Sequence, residues 1–219
     1  RLFYTNFFTG ILNKYHAYIG TISCNYQNYL EWKDPFPFSA KTIDPDCAQN
    51  LLLLGTLTKT NLLDLMENFI LFEGDVTTGK KVKKICRYQQ YRAVNKALDR
   101  LLTAKTKEDR GGVIWHTQGS GKSLTMVLLS RKIRRTPALS DATIVVVTDR
   151  IDLDKQITGT FTRTLEKITT PVQADSVKEL MTLLTQASPQ IILTTIFKFA
   201  SVEEATAAIT TRYGEKEAA

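Results

Sequence analysis

A short apolar run, Val113-Ile114-Trp115, leads into Thr117-Gln118-Gly119-Ser120-Gly121-Lys122-Ser123, and an apolar helical pattern, Leu124 to Leu129, begins at once. This order of run, two-glycine turn and Lys-Ser is the layout of a phosphate-binding loop. Gly119 and Gly121 can take positive φ and carry no Cβ, so main-chain N–H groups can converge on an anion. A helix opening near Lys122 adds unpaired N–H groups and the positive end of its dipole. Thr117 through Ser123 are therefore the candidate phosphate ligands, with Lys122 reaching the β- and γ-phosphates and the Ser123 hydroxyl holding Mg²⁺. The strict spacing wants glycine where His116 stands; metabolic kinases and small GTPases usually keep it, whereas helicase-like motors often replace it. The plainer alternative is a glycine-rich turn between strand and helix, capped by a serine.

Composition narrows the class. The chain has 219 residues, 43% of them hydrophobic and 23% charged, enough for one large or two modest domains with real cores. No run approaches about 18 apolar residues, so no membrane span is expected. Arg1-Leu2-Phe3-Tyr4-Thr5-Asn6 is not a signal peptide, and without an initiator Met the chain reads as part of a longer, cytoplasmic polypeptide. Cys24, Cys47 and Cys86 have no metal-ligand spacing, and with only His16 and His116 a zinc site is not expected. The net charge of +7 is uneven: residues 74–135 hold 16 Lys and Arg against four acids, a net +12 that leaves −5 for the rest. A basic belt around a phosphate loop suits an anionic polymer, although part of it can equally be a solvated helix face.

Taken in order, residues 1–30 read as antiparallel strands, Leu2-Phe3-Tyr4, Phe7-Phe8 and the alternation Tyr15, Ala17, Ile19, with aromatic residues filling a core. Trp32 to Phe38, punctuated by Pro35 and Pro37, reads as an irregular connector. Residues 59–72 place Leu62, Leu65, Met66, Phe69 and Ile70 on one helical stripe, capped by Thr60 or Asn61. Residues 74–84 are polar and lack an apolar period, which predicts a linker and a domain boundary. Tyr91, Val94, Leu98 and Leu101 predict a helix from about Tyr88 to Leu102. At its start Arg87 and Gln90 face the same way, and a glutamine amide offers the donor and acceptor that the N6 and N7 edge of adenine requires. Together with the loop, this makes ATP the candidate ligand. Thr143 to Thr148 and Gln190 to Thr195 read as buried strands, with a helix starting at Asp149 and another, behind a Ser176–Glu179 capping box, between them. The alternation predicts an α/β fold: a parallel, doubly wound sheet over 85–219, preceded by a smaller α+β piece over 1–73.

These residues carry a resemblance. Arg87-Tyr88-Gln89-Gln90-Tyr91-Arg92-Ala93-Val94 resembles the adenine-sensing motif of the R subunit (restriction and translocation) of type I restriction enzymes, and Gly112 to Met126 resembles its motif I, in which the Trp115-His116-Thr117-Gln118 lead-in is unusual among P-loops. Val146 to Gln156 resembles its motif Ia, and Thr194-Thr195-Ile196-Phe197-Lys198-Phe199 a later DNA-contacting motif. Tyr29 to Lys33 and Asn68 to Glu73 are similar to the segment joining the family's nuclease to its motor. The resemblance implies a RecA-like helicase lobe over 85–219 behind the end of a nuclease-type domain. It implies an ATP-dependent DNA translocase that drives cleavage, in complex with specificity and methyltransferase subunits. Asp149, Arg150, Thr194 and Thr195 become the DNA-contact candidates. The family's nuclease carboxylates and lysine, and its Walker B acids, are not found in the chain, so the expectation is nucleotide binding with negligible turnover by this piece alone. Two other readings stay open. One is a small-molecule P-loop kinase; the other is a nucleic-acid-binding module whose P-loop does not hydrolyse.

Overall fold

The computed structural model describes residues 5–22, 24–44, 47–74, 81–149, 157–162, 164, 170–186 and 189–199. The chain divides into two compact units, residues 1–133 and 134–219.

In the first unit, β1 (Thr9–Leu12), β2 (Ala17–Gly20) and β3 (Leu30–Glu31) form an antiparallel sheet in that order, with Thr9 opposite Gly20 and Ile19 opposite Leu30. Ala17 and Ile19 are fully buried, as the period-2 alternation requires. Phe7 and Phe8 precede β1 rather than form a strand, and residues 1–4 lie outside the described residues. The expected aromatic filling is corrected as well. Tyr15 is 65% exposed because it sits in the β1–β2 turn, where Asn13 Oδ1 accepts the Tyr15 and His16 N–H groups. The aromatic core comes from further along: Trp32, Phe69 and Tyr91 are buried, with the Phe69 and Tyr91 rings 4.7 Å apart and those of Trp32 and Tyr91 6.0 Å apart.

Trp32 to Phe38 is irregular as expected and leads to α1 (Ala48–Thr56) and α2 (Lys59–Asn68). Helix α2 stops earlier than its apolar stripe predicts. Ile70–Gly74 leaves it as β4 and pairs antiparallel with β5 (Lys81–Ile85), so the stretch read as a linker contains a strand. The β-branched and aromatic run Phe69-Ile70-Leu71-Phe72 favours a strand once a partner is present, and the Lys83 ammonium lies 5.6 Å from the Phe72 ring. The buried stripe of α2 is Asn61, Leu65 and Asn68. Asn61 does not cap the helix. Its Nδ2 donates to the carbonyls of Phe36 (3.0 Å), Leu54 (3.2 Å) and Gly55 (3.1 Å), and its Oδ1 accepts from the Tyr91 hydroxyl (3.1 Å).

Helix α3 (Tyr88–Thr103) buries Gln90, Tyr91, Val94 and Leu98, and a short α4 (Lys107–Arg110) follows. The run before the loop differs from expectation. Residues 112–116 form no strand, and Val113 and Trp115 are 91% and 88% exposed. An apolar run becomes a strand only where a neighbouring edge takes its N–H and C=O groups, and no such ladder forms here. Helix α5 (Lys122–Arg135) follows the loop.

In the second unit, β6 (Ile144–Thr148), β7 (Val172–Gln173) and β8 (Ile191–Thr195) form a parallel sheet in the order β6-β8-β7. Ile144 faces Ile191 and Thr148 faces Thr195; Val172 faces Ile192. All five residues of the central strand β8 are buried, which is why it reads as a continuous apolar run. Helix α6 (Val177–Thr185) packs Leu180 and Leu183 on Ala174 and Ile192, and its N-cap Ser176 accepts the Glu179 N–H (3.1 Å). The observed fold is thus mixed α/β with a small parallel sheet. No described helix is long and apolar enough to cross a membrane.

Candidate nucleotide-binding site

Gly119 (φ +77°) and Gly121 (φ +81°) are the positive-φ residues of the described backbone. A Cβ at 119 would meet nothing within 4 Å, whereas one at 121 would lie 2.8 Å from the Gln90 amide nitrogen. The turn is closed by the Thr117 carbonyl, which accepts from Ser120 Oγ (2.7 Å), the Ser120 N–H (3.3 Å) and Lys122 Nζ (2.8 Å). Lys122 thus holds a neutral carbonyl, although its ammonium is exposed. A phosphate oxygen offers the same ammonium a full negative charge in place of a carbonyl dipole, so exchange of partners is favourable. The Ser123 hydroxyl makes no hydrogen bond among the described residues, and Thr117 and Gln118 are exposed.

Gln90 holds the loop from behind. It is 2% exposed; its Oε1 accepts the Arg87 N–H (2.9 Å), and its Nε2 donates to the carbonyls of Gly121 (3.0 Å) and Ser120 (3.5 Å). The side chain expected to face adenine is therefore engaged by the protein, and Arg87 is the exposed member of that pair. The far end of α5 is also clamped. Lys132 Nζ meets both oxygens of Asp64 (2.7 and 2.6 Å) and Asn95 Oδ1 (2.5 Å), while Arg131 donates to the carbonyls of Glu67 and Ile70, each at 2.6 Å. Burial, and then the Asp64 carboxylate, push the Tyr91 phenol well above its ordinary range. The sequence pattern had no signal for these contacts, because all but the Arg87–Gln90 bond join residues about 30 to 70 positions apart.

Beside the loop lies a cleft of about 490 Å³, within the usual range of small-molecule sites. Lys83, Lys84 and Arg87 line it together with Gly119, Ser120 and Gly121, and among the described residues no carboxylate does. Such a lining suits a polyphosphate. ATP fits the residues present: loop amides and Lys122 for the phosphates, Arg87 at the cleft, and Ser123 free to meet the Mg²⁺ that accompanies the phosphates. Among the described residues no group of three or more His, Cys, Asp or Glu could hold a metal by itself.

The DNA-contact candidates are not equivalent. Asp149 is exposed just beyond β6, and Arg150 lies outside the described residues. Thr194 and Thr195 are 0% and 5% exposed. They are interior positions of a central strand, and the Thr194 carbonyl accepts from Thr148 Oγ1 (3.3 Å). Ile196 and Phe197 are the exposed residues beyond that strand.

The SWI2/SNF2 ATPase family matches residues 89–217, more than half of the chain. The chain is 42% identical over 194 residues to the HindI endonuclease subunit of a type I restriction enzyme from Haemophilus influenzae, covering 86% of this chain and 18% of that protein. It is 34% identical over 161 residues to the putative type I restriction enzyme MjaIXP endonuclease subunit of Methanocaldococcus jannaschii, covering 71% of this chain and 14% of that protein. A Staphylococcus aureus subunit, SauCOLORF180P, is 28% identical over 126 residues, 58% of this chain and 13% of its own. The chain thus spans less than a fifth of the length of the curated relatives it matches. The family model covers more than half of the chain, so the chain belongs to the SWI2/SNF2 ATPase family, with endonuclease subunits of type I restriction enzymes as its relatives.

Proposed function

We propose that this chain is the ATP-gripping part of a DNA translocase within a type I restriction R subunit, in which ATP-driven movement of double-stranded DNA leads to cleavage. The observation that carries the reading is the loop itself: two positive-φ glycines, a lysine that donates to a carbonyl, and a cationic cleft with no carboxylate among the described residues. Phosphoryl transfer needs charge neutralisation and positioning more than covalent help from the protein. Here Lys122 and the amides of residues 119–123 neutralise and orient the phosphates, Ser123 holds Mg²⁺, and Gln90 keeps the loop in shape. The bound Mg²⁺ supplies further neutralisation of the phosphate charge.

In the same reading, residues 85–219 belong to a RecA-like motor lobe and residues 1–73 to the end of a nuclease-type domain. Asp149 and Arg150 approach the DNA backbone, and specificity and methyltransferase subunits complete the assembly. A translocase grips phosphates without reading bases, which fits the +12 charge of residues 74–135. The test is DNA-stimulated ATP hydrolysis by the full-length polypeptide carrying this chain. Lys122→Ala is expected to lower the rate about a hundredfold or more, as removal of a transition-state charge partner does. Hydrolysis at the unaltered rate, or without any dependence on DNA, contradicts the proposal.

A further inference from the structure

The basic last turns of α5 lie at the opposite end of the helix from the phosphate loop, and their contacts bear on how that loop is aimed. We propose that Arg131 is a positioning residue for phosphoryl transfer: its guanidinium pins the far end of α5 and so fixes the direction in which the near end presents the loop amides and Lys122. This inference rests on the nucleotide reading above and adds to it a residue remote from the phosphates.

Three observations carry it, all within the first unit. First, the guanidinium acts as a fork. Its Nη1 donates to the Ile70 carbonyl and its Nη2 to the Glu67 carbonyl, each at 2.6 Å. Glu67 lies in the last turn of α2, where carbonyls lack an intrahelical partner, and Ile70 opens β4. Arg131 therefore sits at the negative end of the α2 dipole and at the break between α2 and β4, and its planar geometry fixes two directions where a lysine would fix one. Second, β4 is the partner of the strand that carries cations to the cleft. Ile70 pairs with Ile85, the Cys86 N–H donates to the Phe69 carbonyl (3.1 Å), and Lys83, Lys84 and Arg87 line the cleft facing Gly119, Ser120 and Gly121. The fork thus ties α5 to the same ladder that holds the opposite wall of the site. Third, the rest of the α5 contact leaves its axis to the polar anchors. Val127 and Leu128 are fully buried, but apolar burial is non-directional and tolerates sliding. Lys132 adds a second anchor beside the fork, on Asp64 of α2 and Asn95 of α3.

The lever is long. Arg131 lies nine residues beyond Lys122, about 14 Å along the helix, so a tilt of about 5° moves one end by roughly 1 Å relative to the other. A flexible triphosphate can follow such a shift in the ground state, whereas the transferring phosphoryl group needs its charge partners in place, and a misplacement of about 1 Å can cost about a hundredfold in rate.

The experiment uses the full-length polypeptide as wild type, Arg131→Met, Arg131→Lys and Lys122→Ala. Calorimetric titration with Mg·ATP gives affinity and the number of competent sites. A second titration uses Mg·ADP with aluminium fluoride, a mimic of the phosphoryl group in transfer, and DNA-stimulated hydrolysis is expressed per titrated site. Arg131→Met is expected to bind Mg·ATP within about threefold of wild type, yet to lose about tenfold or more both in affinity for the fluoride complex and in hydrolysis per site. Arg131→Lys, which keeps the charge but not the fork, is expected to lie between the two, and it carries the same comparison where Arg131→Met does not fold. Fewer competent sites with unchanged hydrolysis per site and unchanged affinity for the mimic overturn the assignment, since Arg131 then only holds the fold together. Equal losses for Mg·ATP and the mimic overturn it as well. Undiminished binding of Mg·ATP by Lys122→Ala is a different failure, that of the phosphate site, and the positioning role falls with it.

Discussion

Replacing Lys132 by methionine probes the clamp behind the phosphate loop. The pair of Lys132 and Asp64 is largely enclosed, with side-chain exposures of 12% and 15%, and Lys132 Nζ lies 2.7 and 2.6 Å from the two carboxylate oxygens. At that separation, with an effective dielectric of about 20, the gross attraction is roughly 6 kcal/mol, most of it offset by the cost of taking both charges out of water. Removing one partner of such a pair costs about 3–5 kcal/mol, because the other charge stays behind unpaired. Asn68 Nδ2 still donates to Asp64 Oδ1 (2.8 Å), and some water reaches the carboxylate, so the lower end, about 3 kcal/mol, is expected. The double variant Asp64→Leu/Lys132→Met removes both charges and is expected to be less destabilised than Lys132→Met alone, a strongly non-additive cycle. Urea unfolding of all four forms measures it. A cost below about 1 kcal/mol for Lys132→Met, or additive single changes, refutes the argument that this pair holds α5 to α2.

Three other substitutions follow from the geometry. Gly119→Ala and Gly121→Ala each force a left-handed residue to carry a Cβ, at about 1–2 kcal/mol, but only at 121 does the methyl meet Gln90 Nε2 at 2.8 Å. Nucleotide titration should therefore show a distinctly larger loss of affinity for Gly121→Ala, and equal losses would contradict the bracing role of Gln90. Tyr91→Phe removes the hydrogen bond to Asn61 and is expected to cost about 0.5–1.5 kcal/mol near neutrality. Because the folded phenol titrates above its ordinary 10.0, the stability it contributes is fully present below pH 10 and is lost as pH rises beyond it, when the unfolded chain releases the proton first. The gap in unfolding free energy between wild type and Tyr91→Phe should shrink from pH 9 to pH 11; a constant gap counts against the burial argument.

The loop was legible in the sequence because its chemistry is local: glycine, lysine and serine at fixed offsets need no distant residue to be recognised. The same holds for α3, whose apolar period set its limits to within a residue, and for the strands β6 and β8, although only β8 is buried throughout and Val147 of β6 is exposed. Legibility failed where a long-range partner decided the outcome. Ile70–Gly74 continues a helical stripe in the sequence but becomes a strand because Lys81–Ile85 lies beside it. Asn61 looked like a cap and is instead a buried hub for Phe36, Leu54, Gly55 and Tyr91. Gln90 was singled out for its amide, but not for the Gly121 and Ser120 carbonyls that accept from it, since an amide's pattern of donors and acceptors does not reveal such distant partners. Thr194 and Thr195 read from the sequence as the end of a buried strand, and the structure encloses both.

What remains is whether the turn at 117–123 holds a triphosphate at all. Calorimetric titration of Mg·ATP into wild type and Lys122→Ala answers this without reference to DNA or hydrolysis. Saturable one-to-one binding by wild type, weakened about tenfold or more in the variant, is the predicted result, since the ammonium now on the Thr117 carbonyl moves to the phosphates. Equal affinity in the two forms contradicts it.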